Sequence, residues 1–181
     1  TDGQVALWLS AILVAVLALA GYLLTEPMFT AMGASASILA YIRQYMDIWF
    51  IGAVLLVLPM VGNAVLRAAG DTRTPSLIMA GSGLVNAILD PILIFGVGPM
   101  PALGIQGAAI ATVISWLVGS VLIIHLLAAT VWIGGHLILA IRYLPEAIKT
   151  KNLAVLKGFK DKFEPIGMPA LITLVITGVL M

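Results

Sequence analysis

Asn86 and Asp90 are the two residues in this 181-residue sequence whose types and spacing most directly suggest chemistry. Asp90 is the only carboxylate inside the apolar spans read from the sequence, and Asn86 precedes it by one helical turn. Residues four apart share a helix face, so the amide and the carboxylate point together, with Ser82 a turn further along the same stripe. A charge at bilayer depth costs roughly 2.5 kcal/mol or more, so its retention signals function. Such a carboxylate suits exchange of a proton, or coordination of a sodium ion together with the Asn86 amide oxygen. The alternative is a packing carboxylate hydrogen-bonded to a neighbouring span.

A second pair is His125 and His136, eleven positions apart. On one helix they stand roughly 16 Å from each other, too far to ligate a single metal together. Either can join a ligand from elsewhere, since imidazole suits copper and haem iron, and Met168 or Met181 can bind Cu(I) through its thioether. The alternative is a membrane histidine hydrogen-bonded to a neighbouring helix or placed near the interface. Asn63 lies close to Pro59, and it either lines a cavity or bonds to backbone that the proline frees.

The elements that must position these residues are set by composition. With 62% hydrophobic and 9% charged residues and a mean hydropathy of +1.16, the chain departs far from a soluble globule, which carries about 25% charge. It reads as an all-α, polytopic transmembrane helical bundle in contact with the lipid bilayer, of about four to six membrane helices. The absence of cysteine excludes disulfides and thiolate chemistry, and a net charge of +1 gives no footprint for nucleic acid. No phosphate-binding glycine loop, paired carboxylates or nucleophile with a base marks an enzyme. The chain starts without Met and ends within an apolar run, and is expected to be a fragment.

Bilayer crossing needs about 20 apolar residues, and Val5 to Leu24, Ile48 to Leu66 and Pro75 to Phe95 meet that, with a fourth span from near Gly104 and a re-entry at Ile166. Between the first two, Thr30 to Tyr45 reads either as an amphipathic interfacial helix or as an extension of the next span. Gly70, Thr74 and Pro75 suit the end of one helix, the N-cap of the next and its first position, making a tight hairpin. Pro59 and Pro91 each free a carbonyl one turn back, which neighbours must satisfy. If the run from Gly104 to Ile141 crosses once, Arg67 and Arg73 in the hairpin turn fall on the same side as Arg142 and five lysines between Ile141 and Pro165, and that side is then the cytoplasm. No charge interrupts Ile105 to Ile141, a run of roughly 55 Å if helical against a hydrocarbon core of about 30 Å. It is either two spans without a turn or one overlong helix.

Gly70-Asp71-Thr72-Arg73-Thr74-Pro75, then Asn86-Ala87-Ile88-Leu89-Asp90-Pro91, then Leu103-Gly104-Ile105-Gln106-Gly107-Ala108-Ala109-Ile110-Ala111-Thr112, resemble the MATE family of multidrug and toxin efflux antiporters in order and spacing. The resemblance covers about residues 1–124 and looks like the third to sixth helices of the amino-terminal lobe. It implies export of small organic, often cationic compounds coupled to H+ or Na+, in a prokaryotic inner membrane. Asn86 and Asp90 match the fifth-helix pair that many members use for the cation, with Asn63 and Ser82 as cavity-lining candidates. The partner Asp of the first helix has no counterpart here, so the chain is not expected to transport alone. Gly107, Ala108, Ala111, Thr112 and Ser115 present a small face for close packing.

From His125 onward, His125-Leu126-Leu127-Ala128-Ala129-Thr130-Val131-Trp132-Ile133-Gly134-Gly135-His136, with Phe163-Glu164-Pro165-Ile166-Gly167-Met168-Pro169-Ala170, resembles the opening of CopD-type copper-resistance membrane proteins. That resemblance implies copper or haem handling by residues 125–181, with His125 and His136 as ligands. The change of family and the overlong run coincide, which suggests a join near Ile123 to Leu127, natural or artefactual, or a non-functional chimera.

Overall fold

The structure is a computed structural model, and it describes residues 2–180. Among these residues all regular structure is helical and no strand occurs. Five helical segments are long and apolar enough to cross a membrane. The chain divides into two compact units, 1–120 and 121–181.

The first unit opens on α1 (Asp2–Ala31). A short turn follows, with Gly33 at φ 91°, where a residue without Cβ adopts the left-handed conformation without strain. Next comes α2 (Ala36–Gly52), capped by the Ser35 hydroxyl on the Ile38 amide. A 3-10 turn, Ala53–Leu56, leads straight into α3 (Val57–Ala68), so Ala36–Ala68 forms one span. Of the two readings of Thr30 to Tyr45, the structure takes the extension: Thr30 and Ala31 end α1, residues 32–35 form the turn, and Ala36 to Tyr45 belong to the second span. Near the α1–α2 turn, Arg43 donates to Glu26 at 2.7 Å and ties the two helices.

The hairpin forms where expected, but its cap differs. α4 runs from Arg73 to Phe95, and the Asp71 carboxylate accepts from the amides of Arg73 and Thr74, both at 3.0 Å. Asp71 therefore does the capping assigned to Thr74, because its side chain reaches back over the free N–H groups of the first turn. Hydrogen bonding from Thr74, through its side chain first and then its backbone, and from the Arg73 amide holds the Asp71 carboxyl below its ordinary range.

Pro59 shows how the second span tolerates its broken ladder. Proline removes the N–H that would satisfy the Leu55 carbonyl, and the Ser120 hydroxyl lies 3.1 Å from that oxygen. The same hydroxyl reaches the Trp116 carbonyl at 2.8 Å, so one proton serves two acceptors. Ser120 is 2% exposed. Ser120→Ala is expected to lower stability by about 1 kcal/mol, the scale of a membrane-buried hydrogen bond, and thermal unfolding in detergent beside Ser115→Ala measures it. Ser115 bonds only within its own helix, to Ala111, so an equal loss from both substitutions would show that Ser120 does not supply the missing partner.

The overlong run is one helix. α5 spans Ile105–Ile138 without a turn, giving its residues up to Ser120 to the first unit and the remainder to the second. Gly119 and the Gly134-Gly135 pair do not break it. Its opening face is small: Gly107, Ala109, Ala111 and Ser115 are buried. A Cβ added at Gly107 would stand 2.5 Å from the Leu93 carbonyl carbon and oxygen, so α5 meets α4 backbone to backbone.

The second unit continues α5 through a π-helical turn, Leu139–Tyr143, into α6 (Leu144–Thr150). Lys151, left-handed at φ 54°, reverses the chain into α7 (Ala154–Val179). Phe163 packs on Gly135 and Gly167, stacks on Phe159 at 5.4 Å between centroids, and lies 6.2 Å from Trp132.

Many large apolar side chains face outward, among them Trp8, 70% exposed, and Ile51, 79% exposed. Hydrocarbon is the solvent that accepts such a surface.

A candidate cation pair beside a membrane cavity

Asn86 and Asp90 lie in α4, both half-buried, and the Asn86 amide nitrogen donates to Asp90 Oδ1 at 3.4 Å. Four-residue spacing on an uninterrupted helix makes that bond possible. Pro91, just beyond, leaves α4 continuous to Phe95.

Asn86 also lines a cavity of about 300 Å3 bounded by α3, α4 and the first part of α5. Asn63 and Ser82 line it too, with Pro59, Met60, Met79 and Trp116 as apolar walls. Asp90 sits one turn from this space and is joined to it through Asn86. Asn63 Oδ1 and Ser82 Oγ are buried and have no hydrogen-bond partner among the described residues. Asn63 thus leaves the proline-freed carbonyl to Ser120. Two other hydroxyls of the wall, Thr112 and Ser115, give their protons to the carbonyls of Ala108 and Ala111 at 2.9 and 2.7 Å.

Asp90 is not alone in the membrane spans. Asp47 lies within the Ala36–Ala68 span, and its Oδ1 is buried without a partner. The sequence-based span started at Ile48 and left Asp47 just outside. Arg43, four residues earlier, was the signal that could have drawn it in.

In the second unit, the structure does not bring the two histidines together. His125 Nδ1 lies 2.8 Å from Thr177 Oγ1. That hydroxyl donates to the Thr173 carbonyl at 2.6 Å, so the imidazole N–H is the donor in the His125 pair. His136 Nδ1 donates to the Trp132 carbonyl at 2.8 Å. Each ring therefore keeps Nε2 as its free lone pair. His136 and Met168 line one cleft of about 510 Å3, with Trp132, Phe159 and Phe163. Among the described residues no group of three or more His, Asp or Glu converges as a metal site. Met181, the other thioether considered, lies outside the described residues.

The helical segments long and apolar enough to span a membrane, with a carboxylate–amide pair beside a cavity in the first unit, define a polytopic membrane protein. The chain belongs to the MatE family, whose model matches residues 2–92. It is 55% identical over 113 residues to the FAD transporter of Shewanella oneidensis, covering 62% of this chain and 25% of that protein. Similarity also extends to the probable multidrug resistance protein NorM of Thermotoga maritima, 37% identical over 78 residues, 43% of this chain and 17% of that one. A solved structure, the inward-facing conformation of a multidrug resistance MATE family transporter of the MOP superfamily, superposes with TM-score 0.61 at 33% identity, covering 67% of this chain and 27% of that chain. The chain thus spans about a quarter of the FAD transporter's length.

Proposed function

We propose that this chain forms part of an antiporter that exports a small organic compound against inward flow of H+ or Na+, in the inner membrane of a prokaryotic cell. The observation that carries the reading is the double duty of Asn86, which is hydrogen-bonded to Asp90 and lines the cavity. An ion or proton arriving at Asp90 competes for the carboxylate oxygen that holds the Asn86 amide. The amide then turns, and the wall of the cavity changes. Coupling of this kind is reciprocal: a ligand in the cavity alters the affinity of Asp90 for its ion by the same factor. The similarity to an FAD transporter adds flavin nucleotides to the organic cations as substrates to test. Because relatives are about four times longer, transport is assigned to a polypeptide that supplies the remaining helices. Its test is flavin or dye movement in proteoliposomes under an imposed H+ or Na+ gradient, and gradient-independent movement would sink the coupling.

A second reading concerns residues 121–181, and the free Nε2 atoms favour it. We propose that His136, with Met168 in the same cleft, is a copper or haem ligand, oriented by the bond from Nδ1 to the Trp132 carbonyl as metal-bound histidines are. The compact unit that these residues form on their own supports a function separate from export. Purified protein is expected to retain copper or show haem absorbance, and His136→Ala to lose it. Metal-free, colourless protein after loading with either would end this reading.

A further inference from the structure

We infer that the cleft between the end of α5 and the start of α7 binds one anionic phospholipid of the surrounding bilayer, its phosphate at Lys157 and Lys160 and an acyl chain along the aromatic wall. The inference goes beyond both readings above and needs neither ion coupling nor a metal.

The cleft changes character along its length. Lys157 and Lys160 line one end and Met168 the other, and the eleven positions from Lys157 to Met168 span roughly 16 Å of α-helix. Between them the wall is apolar, built by Trp132, Leu139, Phe159 and Phe163. A cationic end on a hydrocarbon-like trough is the complement of an anionic head on an apolar tail.

Depth agrees with that order. Phe163 packs on Gly135, so α7 and α5 are level there. No charge occurs in α5 from Ile105 to its end, and none in α7 after Glu164. Lys157 and Lys160 therefore lie toward the charged ends of the two helices, whereas Trp132 and Met168 lie on the side that enters hydrocarbon. Headgroups sit at that boundary, where a lysine stem covers apolar surface and keeps its ammonium in the polar layer.

The two ammonium groups act together. They are three positions apart and share a helix face, and Lys157 has no carboxylate partner among the described residues. Glu164 holds Lys160 at 3.5 Å, but these side chains are 50% and 70% exposed. Such a pair is weak and yields to a phosphate. Basic pockets between membrane helices hold anionic headgroups in this way. The volume of about 510 Å3 is that of a small-molecule pocket, so a chain is seated rather than loosely attracted.

The backbone helps to open the space. Pro145 has no N–H for the Ile141 carbonyl, and the helix widens into the π turn Leu139–Tyr143, closed by the Leu144 amide on the Leu139 carbonyl. Leu139 and Leu144 both line the cleft. Turns of this kind recur at functional sites.

The test uses the full chain in detergent micelles with Trp8, Trp49 and Trp116 replaced by Phe, so that Trp132 alone reports, and with EDTA to keep metal from His136. Phosphatidylglycerol and phosphatidylcholine with brominated acyl chains are the probes, because bromine quenches a tryptophan that it touches. Phosphatidylglycerol is expected to half-quench at a mole fraction at least about fivefold lower than phosphatidylcholine, the scale of one lysine at an anionic surface. Lys157→Gln with Lys160→Gln should erase that preference. Lys149→Gln with Lys151→Gln removes the same charge outside the cleft and should keep it. Equal quenching by the two lipids, quenching by neither, or the same loss in both double variants would overturn the inference. Excess sn-glycerol 3-phosphate should displace nothing, and displacement would make this a free-phosphate site instead. Should the tryptophan replacements disturb the fold, native mass spectrometry of the unaltered chain, counting retained lipid, makes the same comparison.

Discussion

Asp90→Asn is expected to abolish gradient-driven export by the complete transporter that carries this sequence, with a residual rate at least about a hundredfold below the parent. The substitution keeps size and the capacity to hydrogen-bond Asn86, which lies 3.4 Å away, but removes the only group of the pair that can take up a proton or neutralise a sodium ion. Ligand binding in the cavity should survive, because Asp90 reaches that space only through Asn86, a lining residue. The informative result is thus a split: flavin or dye still bound, but no longer moved by an H+ or Na+ gradient. Asn86→Ala should affect both, weakening binding and uncoupling it from the ion. Undiminished gradient-driven export by the Asp90 variant would remove the residue from the coupling role, and Asp47, also at membrane depth with a buried, unpartnered oxygen, would be the next carboxylate to substitute.

The second large effect is expected at a residue with no chemistry of its own. Gly107→Val places carbon 2.5 Å from the Leu93 carbonyl group and 2.9 Å from the Ile94 amide nitrogen. These are backbone atoms, which cannot rotate away as a side chain does. The helices must part, and overpacking of this kind costs about 1–3 kcal/mol. Leu93 and Ile94 follow Asp90 within one turn of α4, so the displacement reaches the carboxylate as well as the fold. Thermal unfolding in detergent, together with ion-dependent transport, should register both losses. Gly81→Ala is the control: an added Cβ there meets nothing within 4 Å, and replacing a mid-helix glycine should be neutral or slightly stabilising. Equal stability of the two variants would mean that the α4–α5 approach is looser than the structure has it.

Much of this was legible because membrane helices obey few rules. Length and apolarity located the spans, and Gly70 to Pro75 located the hairpin. The Asn86–Asp90 pair followed from helical spacing alone, since four residues fix which side chains meet whatever surrounds them. What depended on neighbours was not legible. Asp71 rather than Thr74 caps α4 because of how the turn folds back, and the 3-10 link at Ala53–Leu56 has no local spelling. Asp47 was missed for a related reason. Arg43 and Gln44 made its surroundings look interfacial, and only the Arg43–Glu26 bridge shows how a basic residue is accommodated along a continuous span. The cavity itself is a property of three helices, so Asn63 and Ser82 could be named as candidates but not seen to be jointly vacant.

The divided loyalty of the Ser120 hydroxyl has a mechanical meaning. Held between the carbonyls of Leu55 and Trp116, its proton can relinquish the first without being stranded, because the second remains on its own helix. The turn that Pro59 interrupts is therefore fastened by a latch that opens at less than the cost of a whole hydrogen bond. Asn63 follows Pro59 by one turn of α3 and lines the cavity, so a shift of that turn would carry the cavity's amide with it.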